Sequence, residues 1–313
     1  MSVDIPAFGM GQDVPEHVKE QIREDDGEHA PLLRDYSDAD LGVLKFYEAN
    51  HANQTLELTT ALLETYASTE ARTYEASMWE MFMAVGELTD ESDPDVDDKQ
   101  ILHAIQSAEA ARANGEPRWM QAVVLVHDTG KVLATNLLPD REALPQWAVV
   151  GDTYPVGAGF DRKAIVLSEY FYPQAPDPDS EDPMRRQGWN GNPDVNNPKY
   201  NTELGIYEPG IGLDKLILSF GHDEYLARVL EEGETGLPPE AIAMVRFHSA
   251  YPIHTARGYQ QLLAPGDETT IKHVMDFNPY DLYSKAEVKP DVDELLPYYK
   301  ALIEEFFSKP LRW

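Results

Sequence analysis

Cysteine is absent from all 313 residues of the chain. This absence excludes a disulfide framework, a thiolate metal site and a thiol nucleophile. Any metal ion must therefore be held by histidine, aspartate, glutamate or backbone oxygen.

Basic residues are few: 25 lysines and arginines stand against 56 aspartates and glutamates, a net charge of -31. Such a chain repels nucleic acid and anionic membrane surfaces, so we expect neither as a partner. Two sources of the acidity stay open. One is a halophile-like protein, whose surface carboxylates are screened by concentrated salt, and the other is a protein with disordered acidic segments. The even spread of acidic residues favours the first.

Long apolar runs are also missing. No run approaches the ~20 residues that span a bilayer, and residues 1–10 lack the basic and apolar regions of a secretory signal. We therefore expect a cytoplasmic protein.

Helical periodicity covers most of what remains. Residues 1–33 are predicted to form a flexible N-terminal arm, and residues 34–313 a single domain. Residues 135–212 are rich in Pro, Asn, Asp and Gly, which indicates long loops with a few short strands, at 147–150 and 165–167. The predicted fold is mainly α, with helices over residues 37–67, 76–88, 99–114, 118–134, 213–230, 238–252, 257–263, 268–276 and 292–308.

A His-Asp doublet follows the apolar run Trp119–Val126, in the stretch His127-Asp128-Thr129-Gly130-Lys131. Buried charged groups are costly unless they are paired or bound to metal. Histidine nitrogen and aspartate oxygen suit iron, manganese or zinc. The alternative is a helix that simply ends in polar residues at Gly130.

Three further histidines lie at similar apolar-to-polar transitions on separate predicted helices, namely His103, His222 and His248. One histidine from each of four helices can build a site inside a bundle. Four histidines, Asp128 and one more carboxylate make six ligands, which fits two ions bridged by Asp128 better than one catalytic ion. Lys131 is four residues after His127, so it either reaches a ligand at the metals or only complements the helix dipole.

Several long motifs resemble those of a known family, in the family's order. The doublet after His103 resembles the HD-domain superfamily, and the whole stretch from about Arg34 to Trp313 resembles the myo-inositol oxygenase family. The matching stretches are Asp90–Asp97, His127–Lys131, Pro145–Thr153, Thr202–Tyr207, Gly221–Tyr225, Arg246–Ser249, Phe277-Asn278 and Asp281–Lys285.

The resemblance implies an HD-domain helical bundle around a mixed-valent Fe(II)/Fe(III) centre. His103, His127, Asp128 and Asp281 would hold one iron, and Asp128 would bridge to His222 and His248 on the other. The implied reaction is the four-electron, ring-opening oxidation of myo-inositol by dioxygen to D-glucuronate, carried out by a monomer. Asp128 and Lys131 would be catalytic, with Lys131 stabilising a developing alkoxide. The implied substrate contacts are Arg34, Asp90, Glu91, Ser92, Lys131, Gly151, Asp152, His248, Ser249 and Lys285.

Two other functions compete with this one. Many HD-domain proteins are metal-dependent phosphohydrolases, but a phosphate site wants several cations, and the carboxylates at Asp90 and Glu91 would repel phosphate. A non-catalytic metal-binding scaffold would not need the substrate-contact positions. The segment 172–198 looks longer than the family pattern and has no assigned role.

Overall fold

Helices form most of the part of the chain that the structure, a computed structural model, describes: residues 41–92, 99–139, 141–167, 191–282 and 290–313. The prediction of a mainly α fold is confirmed. The predicted arm, residues 1–33, and most of the 172–198 segment lie outside the described residues. The helices are α1 (Leu41–Asn53), α2 (Leu56–Leu62), α3 (Met78–Val85), α4 (Gln100–Ala113), α5 (Arg118–Val126), α6 (His222–Glu232), α7 (Pro239–Phe247), α8 (Tyr251–His254), α9 (Asp267–Asp281) and α10 (Val292–Phe306).

The first predicted helix is interrupted. The Thr55 side chain caps α2 by accepting from the Leu58 N–H, and a π-helical turn, Leu63–Ala67, follows that helix. Gln54 leaves the helical path, because its side chain exchanges two hydrogen bonds with the backbone of Phe220, at 2.8 and 3.0 Å. The prediction of one continuous helix over 37–67 was therefore wrong at this point.

The predicted helix over 213–230 was wrong in its first half. Only Leu213–Lys215 forms a 3-10 turn there, and α6 starts at His222. Between them the chain is held against the preceding loop: the Ser219 N–H donates to the Tyr154 carbonyl at 2.7 Å. The loop region therefore fixes where α6 begins.

Strands contribute little to the described chain. β1 (Glu75–Ala76) pairs antiparallel with β2 (Leu311–Arg312). The strands predicted at 147–150 and 165–167 were wrong, since the former overlaps a 3-10 turn, Gln146–Ala148, and the latter lies in turns.

Helix α5 lies at the centre of the main core. All its residues from Met120 to Val126 are buried, and it packs against α4, α7, α9 and α10. A helix that is mostly apolar on all its faces is expected in the interior. Its C-terminal end therefore delivers the next residues, His127 and Asp128, into the middle of the molecule.

Within the described residues, none of the helices combines the length and the apolar character that a membrane span requires.

Candidate metal centre

The His127-Asp128 doublet is buried. α5 ends at Val126, and a 3-10 helix, His127–Ala134, carries the chain on through the interior. His127 is 0% and Asp128 4% exposed, and Lys131 is also buried. The alternative of a helix that simply ends at Gly130 is therefore wrong, and these buried polar groups need partners where they lie.

Backbone carbonyls orient three of the four histidines. A carbonyl oxygen only accepts hydrogen bonds, so the Nδ1 atom of each of these rings must carry a hydrogen. A neutral ring then presents a free lone pair at Nε2, which is the usual arrangement of a histidine that binds a metal. The donor and acceptor pairs are His127 to Val124 (2.7 Å), His222 to Val149 (2.8 Å) and His248 to Val245 (2.7 Å).

Asp128 lies between two pairs of histidine rings. Its Oδ1 is 3.0 Å from Nε2 of His222 and 3.8 Å from Nε2 of His248. Its Oδ2 is 3.3 Å from Nε2 of His127 and 3.4 Å from Nε2 of His103. One carboxylate therefore offers one oxygen to each pair.

Within each pair the Nε2 atoms face each other. They are 3.0 Å apart for His222 and His248, and 3.4 Å apart for His103 and His127. Because Nδ1 of His222 and of His248 already carries the hydrogen, two neutral rings would bring two lone pairs together, which is unfavourable. A cation bound by both nitrogens removes this repulsion, so the donor set fits metal ions.

The sixth predicted ligand is the carboxylate of Asp281, which lies at the end of α9. Its Oδ1 lies 3.1 Å from Nε2 of His127 and 3.7 Å from Nε2 of His103. Its Oδ2 accepts a hydrogen bond from the Tyr251 hydroxyl. Tyr251 was missed in the sequence, where its only signal is that it follows His248 by three residues. Ligand atoms of His103, His127 and Asp281 lie within 4.8 Å of one another, as do those of His127, Asp128 and His248.

The pKa values differ among the histidines of the cluster. Burial lowers the pKa of His103 to about 4 and that of His248 to about 3, so both rings are neutral near pH 7. Burial also opposes the charged form of His127, but Asp128 and Asp281 outweigh burial and raise its pKa to about 10. A metal ion that binds His127 must therefore displace a proton.

Lys131 is held beside the centre by three oxygen atoms. Its Nζ lies 2.7 Å from Asp90 Oδ2, 2.9 Å from Asp128 Oδ2 and 3.3 Å from Gln100 Oε1. Burial lowers the pKa of Lys131, but Asp128 and Asp90 outweigh burial and raise it above the usual value. Lys131 is therefore a fixed cation. Gln100, which also donates to Asp128 Oδ2, was missed; its position one helical turn before His103 was the available signal.

The predicted contact loop at residues 90–92 reaches this lysine. Asp90 Oδ1 accepts hydrogen bonds from the backbone N–H and the hydroxyl of Ser92, at 2.8 and 2.6 Å. Gln146 ties the loop down, because it donates to the Thr89 carbonyl at 2.9 Å and accepts from the Glu91 N–H at 3.0 Å. Glu91 is exposed and contributes its backbone to this link.

A second predicted loop lies beside the first. Gly151 has φ +86°, and a Cβ there would lie 3.6 Å from Cβ of Ser92. The Tyr47 hydroxyl is 3.5 Å from Oδ1 of Asp152. The Thr153 N–H donates to the carbonyl of buried Ser249 at 2.8 Å, which joins this loop to the residue after His248. The predicted contacts Arg34 and Lys285 lie outside the described residues.

Fold and site together define a class: a mainly α protein with a buried histidine and carboxylate cluster of the kind that binds metal ions, next to two polar loops. The family model "Myo-inositol oxygenase" matches residues 40–313.

Related proteins are also named inositol oxygenase. Inositol oxygenase 2 of Arabidopsis thaliana is 40% identical over 286 residues, covering 90% of this chain and 83% of the relative. Inositol oxygenase of Danio rerio is 39% identical over 284 residues (90% and 93%), and that of Homo sapiens is 39% identical over 272 residues (87% and 86%). The chain belongs to the myo-inositol oxygenase family, which is metal-dependent, and it is an oxygenase, an oxidoreductase.

Proposed function

We propose that this chain oxidises myo-inositol with dioxygen to D-glucuronate at a centre of two iron ions. The observation that carries the metal assignment is the position of Asp128, whose two oxygens face two separate pairs of histidine Nε2 atoms. A carboxylate that serves two nitrogen pairs is suited to bridge two ions, and the nitrogen and oxygen donor set suits iron.

Each ion would have its own ligands besides the bridge. His103, His127 and Asp281 would hold one iron, and His222 and His248 the other. The second ion would then have fewer protein ligands, which leaves room for substrate oxygen. When bound, the iron pair supplies the redox chemistry that passes four electrons from the substrate to dioxygen; one oxygen atom enters the product carboxylate and the other leaves as water.

The polyol substrate has little apolar surface, so binding must come from many hydrogen bonds. Acceptors and donors on the two loops are available for its hydroxyl groups, namely Asp90, Ser92, Asp152 and Ser249, with Glu91, Gly151 and His248 as further predicted contacts. Arg34 and Lys285 stay predictions.

Lys131 would act as an electrostatic group. Because Asp128 and Asp90 keep it protonated, it can donate a hydrogen bond to a substrate hydroxyl and stabilise negative charge that develops on that oxygen. It cannot serve as a base near pH 7. Its anchoring by Asp90, a proposed substrate contact, would couple substrate binding to the position of the cation.

A phosphohydrolase is disfavoured. Lys131 already faces two carboxylates, at 2.7 and 2.9 Å, and Asp90 beside it would repel a phosphate dianion. The other cations considered for phosphate, Arg34 and Lys285, lie outside the described residues.

A single domain over 34–313, the HD-domain relationship, a monomeric state, a cytoplasmic location and salt adaptation stay predictions. The spread of the proposed ligands along the chain supports a single domain, since residues as far apart as His103 and Asp281 would contribute to one centre. Salt adaptation would be contradicted by a protein that is fully folded and active at low ionic strength and gains nothing from molar salt.

The decisive experiment combines iron-loaded protein with myo-inositol and oxygen. Oxygen uptake and glucuronate formation should proceed together in equal amounts, and a phosphate ester should be left intact. Iron analysis of the same sample should give two ions per chain. Phosphate release without oxygen uptake would overturn the oxygenase proposal, and full activity with one ion per chain would overturn the two-iron centre.

A further inference from the structure

Tyr251 is a buried residue beside the metal centre to which the proposed reaction gives no role. It is the first residue of α8, the one-turn helix that starts three residues after His248. Its hydroxyl donates to Oδ2 of Asp281, 30 residues further along the chain. Because Asp281 is a proposed metal ligand, the Tyr251 hydroxyl can act on an ion through this carboxylate.

Helix α8 is fastened to the residues that lead into it. The His254 N–H donates to the Ala250 carbonyl at 3.2 Å. Nε2 of the His254 ring lies 3.1 Å from the carbonyl oxygen of His248, and it must donate because a carbonyl only accepts. The rings of His254 and Tyr251 pack together, with 5.1 Å between their centroids. The Tyr251 hydroxyl therefore reaches Asp281 from a fixed position.

The two carboxylates of the centre are held in different ways. Both oxygens of Asp128 face histidine nitrogens. The Asp281 oxygen that faces histidines is Oδ1, which lies 3.1 Å from Nε2 of His127 and 3.7 Å from Nε2 of His103. Its Oδ2 accepts the hydrogen bond from Tyr251. A carboxylate can bind a cation through one oxygen or through both, so the hydroxyl on Oδ2 favours binding through Oδ1 alone.

The hydroxyl also draws charge away from the ligand. A carboxylate has no hydrogen to donate, so Tyr251 is the donor in this bond. Hydrogen bonds to a charged acceptor are stronger than those between neutral groups, and partners of this kind tune the metal that a ligand holds. A carboxylate that shares its charge with a donor gives less charge to a bound iron. The bond therefore favours Fe(II) over Fe(III).

We propose that Tyr251 is a positioning residue for the iron held by His103 and His127. Its hydroxyl keeps Asp281 bound to that iron through one oxygen and shifts the iron towards Fe(II). This inference rests on the proposed centre of two irons. In that centre Asp281 serves one ion, so a change at Tyr251 should alter this ion and spare the other.

Mössbauer spectra of the mixed-valent protein, loaded with iron-57, separate the Fe(II) ion from the Fe(III) ion. Tyr251→Phe removes the hydroxyl and keeps the ring. The variant should retain two irons per chain, because all proposed ligands remain, and it should change the quadrupole splitting of one ion only. In a redox titration, the ratio of Fe(III) to Fe(II) at a fixed potential should rise ~10-fold for the altered ion, which is a midpoint potential lower by about 59 mV.

Tyr299→Phe is the matched control. The Tyr299 side chain is also buried, and its hydroxyl also donates to a carboxylate, that of Glu109. Glu109 is paired with Arg112 and is not among the proposed metal ligands. Loss of the Tyr299 hydroxyl should therefore leave the quadrupole splittings and the potentials unchanged.

A second variant changes the strength of the bond and keeps the hydroxyl. Site-specific incorporation of 3-fluorotyrosine at position 251 makes the hydroxyl a stronger donor, because fluorine withdraws electrons from the ring. The ratio of Fe(III) to Fe(II) should then fall, opposite to the effect of Tyr251→Phe. This variant retains the ring and its hydrogen bond, so it tests the proposal even where Tyr251→Phe does not fold.

The inference and the proposed function fail in different ways. A parent protein that does not bind two irons would refute the proposed function. A parent with two irons and glucuronate formation, whose quadrupole splittings and potentials are the same in both Tyr251 variants, would refute the role of Tyr251 alone. Equal changes at both irons would also contradict this role, because the hydroxyl contacts a ligand of one ion.

Discussion

Replacing Lys131 with methionine separates metal binding from turnover. Methionine keeps most of the length of the side chain and removes the charge. Metal content should be unchanged, because Lys131 contacts the Oδ2 of Asp128 but supplies no ligand atom. Turnover should fall by ~10²–10³-fold, the usual loss when one preorganised group that stabilises developing charge is removed.

The substitution should also change the response to pH. Burial favours the neutral form of Asp90, and Lys131, 2.7 Å away, overcomes burial and holds the pKa of Asp90 below its usual value. Without the lysine, burial dominates and the pKa of Asp90 rises, so the carboxylate takes up a proton as the pH falls. If Asp90 accepts a hydrogen bond from substrate, KM in the variant should decrease from pH 5 to pH 8 more than in the parent.

Iron analysis gives the metal content, and oxygen-uptake and glucuronate assays of the same preparation give turnover and the pH dependence of KM. Lys163→Met is the control, because Lys163 is exposed, and it should leave all three unchanged. Loss of iron in proportion to turnover would make Lys131 structural. Turnover within ~3-fold of the parent would refute the electrostatic role.

Three further predictions concern other residues. Asp128→Ala should abolish iron loading and turnover, because each Asp128 oxygen faces one histidine pair; normal activity would refute the bridge. Gly130→Ala should cost about 1–3 kcal/mol in urea unfolding and lower metal content, since a Cβ there overlaps the His222 carbonyl oxygen, whereas Gly266→Ala, with nothing within 4 Å, should be neutral. His51 has a pKa lowered by burial from 6.5 to about 3. Between about pH 6.5 and about pH 3, His51 is therefore protonated in the unfolded chain and neutral in the folded chain. The free energy of unfolding should fall by up to about 1.4 kcal/mol for each pH unit as the pH drops through this range. His51→Phe should flatten that slope; an unchanged slope would contradict the assignment.

Residue type and spacing predicted the polar cluster well because each histidine interrupts an apolar run. The structure brings His103, His127, His222 and His248 together, but only His103 and His222 lie on α-helices, whereas His127 directly follows α5 and His248 directly follows α7. Spacing alone did not identify Asp281, which came from the resemblance, since many acidic residues in a chain of this composition are equally plausible ligands.

Helix boundaries were less predictable, for a physical reason. Apolar periodicity continues across Gln54, where the helix stops because that side chain bonds the backbone of Phe220, 166 residues away. A bond so distant in the sequence leaves no local pattern. Gln100 was missed similarly, because its importance depends on Lys131 and Asp128, which the fold brings to it.

The carbonyls that orient the ring nitrogens have a consequence for how the centre tolerates mutation. His127 and His248 each donate to the residue three positions earlier, at the end of an α-helix where carbonyls lack helical partners. Every residue type supplies such a carbonyl, so Val124 and Val245 can drift among side chains of suitable size without altering which nitrogen is free to bind. The backbone conformation at these two helix ends therefore sets the orientation of the two rings, whatever the side chains of Val124 and Val245 are. A designer who transfers the centre to another bundle could therefore reproduce the orientation of His127 and His248 by keeping these two helix ends.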